Sequence, residues 1–167
     1  QYLKEKYNKN YISVQPANLY GVGDNFDLKS SHVLPALVKK FTLAKEKELK
    51  SVEIWGSGNQ KREFLNVIDL ASAILFLLNK KIKYDYLNIG SGEQISIKEL
   101  AMTIKKITGF KGKVFFNKNY PDGVKRRIVD TKLINKLGWK AKIKLKNGLN
   151  EYYSYYIKRV MLEENKI

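Results

Sequence analysis

His32 is the single histidine of a 167-residue chain that contains no cysteine, and imidazole is the side chain best suited to accept or deliver a proton near neutral pH. It stands in Ser30-Ser31-His32-Val33-Leu34-Pro35, after a polar loop with Asp24, Asn25 and Asp27 and before apolar residues at helical spacing. A helix start carries partial positive charge and free N–H groups that attract phosphate, so the place suits proton transfer beside an anion. It equally suits a capping neighbour that only bonds loop backbone. On these residues alone both readings stay open.

Three further stretches could hold a ligand. In Gln15-Pro16-Ala17-Asn18-Leu19-Tyr20-Gly21 a proline and an amide follow an extended run, and ligands of open α/β sheets lie beyond the carboxyl ends of strands. A plain strand-ending turn over Asn18 to Gly21 competes with that reading. From Glu53 to Phe64, Trp55 could stack on a base or sugar, and Gly56 and Gly58 permit a bend that brings it near Arg62. The alternative is a β-hairpin with Trp55 in the core and Arg62 paired to Glu53 or Glu63. Finally, Pro121-Asp122-Gly123 precedes Lys125, Arg126 and Arg127, a cluster of cations that needs solvent or a matching anion such as phosphate. Asp122 could bind ribose hydroxyls or close an Asx-turn. Gly90-Ser91-Gly92 lacks the third glycine of a dinucleotide fingerprint and the lysine of a P-loop, and reads as a connection.

These residues need a scaffold, and the pattern supplies one. The first ten residues read as the end of a helix. Tyr11 to Pro16 is an extended segment, and Val33, Leu34, Leu37, Val38 and Phe41 mark a helix whose first turn tolerates Pro35. Strands are expected near 51–56, 84–90 (running into a glycine turn) and 113–117, with a loop or partly paired strand over 57–64. The run 66–81 predicts a helix apolar on most of its circumference, hence buried on more than one side. Ser96 and Glu99 fit a capping box for the next helix, which Gly109 ends. A loop over 120–130 and a short helix stopped by Gly138 follow. The tail predicts a helix with Leu149, Tyr152, Tyr153, Tyr156 and Val160 on its apolar face. Strands interleaved with helices argue an α/β fold.

Composition narrows the function classes. Hydrophobic content of 44% and charged content of 29% are globular values. Without cysteine and with one histidine, a disulfide framework, a thiolate site and a multi-histidine metal site are excluded, so no metal is expected. The longest apolar run, Ala71 to Leu78, is too short to span a bilayer, and no signal peptide is visible; a cytoplasmic location is the default expectation. Net charge is +16, but of 32 basic residues only those at 62, 126, 127 and 159 are arginine. Lysines scattered through every segment do not make a nucleic-acid groove.

Taken in order, Pro16-Ala17-Asn18-Leu19-Tyr20-Gly21, Ser30 to Leu37, Trp55 to Ala71, Leu87 to Ala101, Pro121 to Asp130 and Leu137-Gly138-Trp139 resemble the carboxyl-terminal half of the GDP-L-fucose synthase family of extended short-chain dehydrogenase/reductases. That resemblance implies the carboxyl-terminal part of a Rossmann-type sheet plus a small substrate-binding α/β domain, the nucleotide-fingerprint half being absent. It divides the chain into 1–32 (end of a Rossmann-domain helix, strand and cofactor loop), 33–64 (substrate-binding helix and hairpin), 65–93 (Rossmann-domain helix and last strand) and 94–167 (mainly substrate-binding domain). It implies a homodimeric enzyme that epimerises and reduces a GDP-linked 4-keto sugar with NADPH, sister enzymes acting on GDP-heptose intermediates. Pro16, Ala17, Asn18 and Leu19 would contact the nicotinamide end of NADP. His32 would touch the cofactor and act as proton donor in epimerisation. Lys40, Trp55, Arg62, Asp122 and Arg127 would contact substrate, with Lys40 where the family tends to show arginine and Arg127 where it shows lysine. The family's serine, its tyrosine and lysine pair and its cysteine base would precede residue 1, so these residues alone are expected to be inactive.

Overall fold

The structure, a computed structural model, describes residues 2–162, without the side chains of 159–161. Val160, expected on the tail helix's apolar face, thus lies outside the described side chains. Helix α1 (Tyr2–Tyr7) is exposed throughout. Two strands follow that enter different sheets. β1 (Ser13–Pro16) pairs in parallel with β5 (Tyr86–Ile89), Pro16 lying opposite Ile89. β2 (Asn18–Tyr20) pairs in parallel with β4 (Lys61–Asn66), Asn18 opposite Phe64. The chain changes sheet at Ala17, whose N–H donates to the Ile89 carbonyl at 2.8 Å. The turn predicted over Asn18 to Gly21 is therefore a strand as far as Tyr20, because a ladder with a distant partner replaces the local turn.

Helix α2 (Val33–Glu46) extends a turn beyond the apolar repeat that announced it. β3 (Ser51–Trp55) does not turn back onto β4; it pairs in parallel with β7 (Lys113–Asn117). No hairpin joins Trp55 to Arg62, which corrects that expectation: each strand finds its partner far along the chain. The first half of β4 instead lies between antiparallel β6 (Gln94–Ser96) and parallel β8 (Arg126–Arg127), Arg62 opposite both Ile95 and Arg127.

Side chains alternate across a strand, and on β4 that alternation separates two cores. Phe64 joins the larger one with Leu37 and Phe41 of α2, Leu100 and Ile104 of α4 (Ile97–Thr108), and Leu149 and Tyr152 of α6 (Leu145–Tyr155). Leu65, fully buried, faces the other way and joins Ile89, Ala73 and Leu77 of α3 (Val67–Leu78), Ile134 of α5 (Lys132–Lys136) and Trp139. Each fully buried side chain of this size contributes roughly 1.5–3 kcal/mol, so both faces of β4 are anchored. Loops at its ends inherit that rigidity.

Local signals hold where the chain's own chemistry decides. Ser96 and Glu99 form the reciprocal capping box of α4, and Gly109 ends it at φ 75°. Asn66 caps α3 by accepting from the Ile68 N–H at 2.9 Å. α3 departs from expectation: only Asp69, Ala73 and Leu77 are buried, while Ile68, Leu75 and Leu78 are 60%, 63% and 72% exposed. An all-round apolar sequence does not bury a face against which no described element packs.

Candidate active site

A cleft of about 720 Å³ opens at the ends of β1 and β2, where the chain passes from one core to the other. Pro16, Ala17, Asn18 and Leu19 form one wall, His32 and Asp24 a second, and Arg127 to Val129 a third. Six of the residues singled out in the sequence, Pro16 to Leu19, His32 and Arg127, thus converge.

His32 occupies the N-cap position of α2 in extended conformation, φ −70° and ψ 167°, yet makes no capping bond. The capping alternative therefore fails, and the ring is exposed. The loop before it is held from the other end of the chain. The Tyr152 hydroxyl donates to Asp24 Oδ2 at 2.8 Å, the Gly23 N–H donates to the Tyr155 hydroxyl at 3.1 Å, and Phe26 stacks on Tyr152 with ring centroids 5.3 Å apart. Burial pushes the Tyr152 phenol far above its usual range and the Asp24 carboxylate adds to it. Tyr152 is thus a fixed proton donor to Asp24.

Asn18 spends its side-chain amide on the Glu63 carbonyl, 2.7 Å away. Glu63, 1% exposed, accepts from the Gly92 N–H at 2.8 Å through Oε1 and from the Val129 N–H at 3.0 Å through Oε2. Sequence reading had offered Glu63 only as a surface partner of Arg62. The signal was there: a carboxylate beside Phe64 and Leu65 in a strand needs fixed donors.

The remaining predicted contacts form a neighbouring patch. Trp55 is 60% exposed, so it is not a core residue, and its indole stacks on Tyr120 with centroids 4.5 Å apart and planes 13° from parallel. Lys40 Nζ lies 5.4 Å from the Trp55 ring centre, within cation–π range, and 3.4 Å from the Glu53 carbonyl. Arg62 does not pair with either glutamate. Its Nη1 donates to the carbonyls of Lys61 at 2.8 Å and Val124 at 2.7 Å, tying β4 to the loop that leads into β8.

Asp122 joins that loop to the glycine turn after Trp55. Its Oδ1 accepts from the Ser57 N–H at 2.7 Å and from the Gln60 amide, and its Oδ2 accepts from the Ser57 hydroxyl at 2.6 Å. The Ser57 hydroxyl, with its backbone N–H second, holds the carboxyl below the usual carboxylate range. Gly56 is required here: at φ +84°, a Cβ would come within 2.5 Å of Asp122 Oδ1. Tyr120, Ser57 and Gln60 escaped sequence reading because their importance comes from partners more than sixty residues away.

A cleft beyond the carboxyl end of the parallel strand β1, lined by one exposed imidazole and one arginine, lies where ligands of open α/β sheets bind. Residues 1–90 match the model of the NAD dependent epimerase/dehydratase family, and the chain belongs to that family. It is 45% identical over 150 residues to a probable GDP-L-fucose synthase 1 of Oryza sativa subsp. japonica, covering 90% of this chain and 46% of that protein. It is 38% identical over 161 residues to GDP-L-fucose synthase of Escherichia coli (strain K12), covering 91% and 50%. Among solved structures, a GDP-mannoheptose C4 reductase from Campylobacter jejuni with NADP bound superposes at a TM-score of 0.81 with 35% identity, over 94% of this chain and 56% of that one. The chain spans about half the length of the curated relatives it matches. Among the described residues no helix is long and apolar enough to cross a membrane.

Proposed function

We propose that this chain forms the substrate-side half of an NADPH-dependent enzyme that epimerises and reduces a GDP-linked 4-keto sugar, as in GDP-L-fucose synthesis. The observation that carries this reading is the shared cleft of Pro16 to Leu19, His32 and Arg127. Its wall around Ala17 fits the flat, uncharged end of a nicotinamide: Ala17 is nearly buried, Pro16 has no N–H to satisfy, and the Asn18 amide is already bonded. Residues of this stretch would hold that end of NADP, which when bound supplies the hydride that reduces the sugar's C4 carbonyl.

The chain's own residues then have distinct tasks. His32, its ring exposed on the cleft and making no side-chain bond to α2, delivers a proton to the enolate carbon left when a base on the opposite face has removed one. That base and the proton donor to the C4 oxygen are assigned to no residue of this chain. Arg127 neutralises diphosphate charge at the cleft, as a guanidinium fork does well. Trp55 and Tyr120 offer an aromatic surface to the nucleotide, with Lys40 adding charge. The smaller core around Leu65 serves the cofactor side and the larger one around Phe64 the sugar side.

The test is an assay of the full-length polypeptide with NADPH and GDP-4-keto-6-deoxymannose, following NADPH consumption and solvent-deuterium incorporation at C3 and C5. Turnover with incorporation supports the reading; absence of both with a folded protein refutes it. A GDP-heptose 4-keto substrate is the second reading, favoured by the 35% identity to the heptose reductase. The same assay with that sugar ranks the two by kcat/KM.

A further inference from the structure

Glu63 is bonded to two walls of the cleft, at Asn18 and Val129, and to the Gly90–Gly92 turn beyond them. Its carbonyl accepts from the Asn18 amide, Oε2 from the Val129 N–H and Oε1 from the Gly92 N–H. The carboxylate is 1% exposed, and no ion pair with a lysine or arginine is found for it among the described residues. A buried carboxylate is retained only where fixed donors replace its water. Here those donors are backbone groups of two segments that no strand pairing joins to each other: the Gly90–Gly92 turn and the Val129 end of the basic wall. Close packing seals the arrangement, since a Cβ at Gly90 would come within 2.1 Å of Glu63 Oε1 and 2.7 Å of Val129 Cγ2.

We infer that Glu63 is a positioning residue that locks the Arg127–Val129 wall at a fixed distance from the Asn18 wall, so that anion binding at the cleft depends on a carboxylate the ligand never touches. The basic wall needs such a lock. β8 is only two residues long and both are exposed, so its ladder to β4 cannot by itself hold the Arg127 guanidinium where a diphosphate requires it. A glutamine at 63 keeps the size but can accept from only one of the two N–H groups, the other meeting an amide donor; one segment is then released. The inference concerns the site of the proposed function, and rests on that reading for its choice of anion.

Glu63→Gln in the full-length polypeptide tests it, with GDP as the probe in calorimetry and amide hydrogen exchange as the second readout. The expected result is a GDP affinity lowered tenfold or more, with faster exchange at Gly92 or Val129 than in the body of β4. Glu99→Ala, which removes the acceptor of the α4 capping box away from the cleft, is the control: it should lower Tm without changing GDP affinity. Gly90→Ala, which displaces the carboxylate without removing it, should reproduce the affinity loss if Glu63→Gln does not fold. Unchanged GDP affinity in a folded Glu63→Gln variant, or exchange raised evenly across the protein, would overturn the inference. If the wild type itself binds no GDP, the reading of the ligand fails, and the exchange data alone decide whether Glu63 holds the two segments together.

Discussion

The two sides of the basic region differ in what their polar groups are doing. Around Asp122 nearly every hydrogen-bonding group is committed: the carboxylate to Ser57 and Gln60, Arg62 to two carbonyls. At the cleft, the His32 side chain makes no cap bond and Arg127 stands exposed. Groups already satisfied by the fold shape a site, whereas groups left open at a cleft can meet a ligand. On the proposed function, the distinction leaves His32 and Arg127 open to a ligand, while the Asp122 carboxylate joins two turns.

The largest effect should come from His32. On the proposed function, His32→Asn in the full-length polypeptide keeps the backbone but removes the proton donor of epimerisation, a group worth roughly 10²–10⁴-fold in rate. Solvent-deuterium incorporation at the epimerised carbon should fall by that factor, while reduction of an already epimerised 4-keto sugar is nearly retained. Equal losses in both steps would mean that His32 only shapes the cleft. Next comes Arg127→Ala, which should weaken GDP binding by about tenfold to a hundredfold, the scale of one charge-assisted contact. Arg127→Lys should recover part of the loss, because the charge returns without the fork. An affinity unchanged by Arg127→Ala would move the anion site away from the cleft.

Tyr152→Phe probes how the free side is held. Removing the hydroxyl deletes the bond to Asp24 and should cost about 1 kcal/mol of stability in urea unfolding. The amide of Gly23, bonded to the neighbouring Tyr155, should exchange faster. Asp24 keeps access to water, so a much larger loss would show that α6 does more than fasten this loop.

The parts legible in the sequence were those whose cause is local. Ser96, Glu99 and Gly109 bound α4 because capping is decided within a few residues, and Pro35 fell in the first turn of α2 as its ring demands. His32 and the Pro16 to Leu19 stretch, which line one cleft, stood out because their residue types are unusual for their places. Strand pairing was hidden. β3 and β4 are neighbours in sequence with a glycine-rich link between them, and nothing local says that one will join Lys113–Asn117 and the other Arg126–Arg127. For the same reason the sequence left Asp122 between a ribose contact and an Asx-turn: its bonds to Ser57 and Gln60 are visible only once those residues are beside it.

Asp122 gives the smallest and most specific test of the comparison. Its carboxyl is held below the usual range by bonds that exist only in the folded chain, and an unfolded aspartate titrates near about 3.9. The folded state therefore binds its proton less readily than the unfolded state. The resulting stabilisation is complete above the unfolded value and disappears as pH falls through the folded one. Asp122→Asn lacks this contribution, so urea midpoints of wild type and variant should differ at neutral pH and converge as the pH is lowered below about 4. Solvent screening at this exposed site keeps the difference modest. A gap that persists unchanged into acid would mean that the turn is held by the shape of the Gly56–Gln60 segment and not by the charge, and Asp122 would then be open to serve a ligand after all.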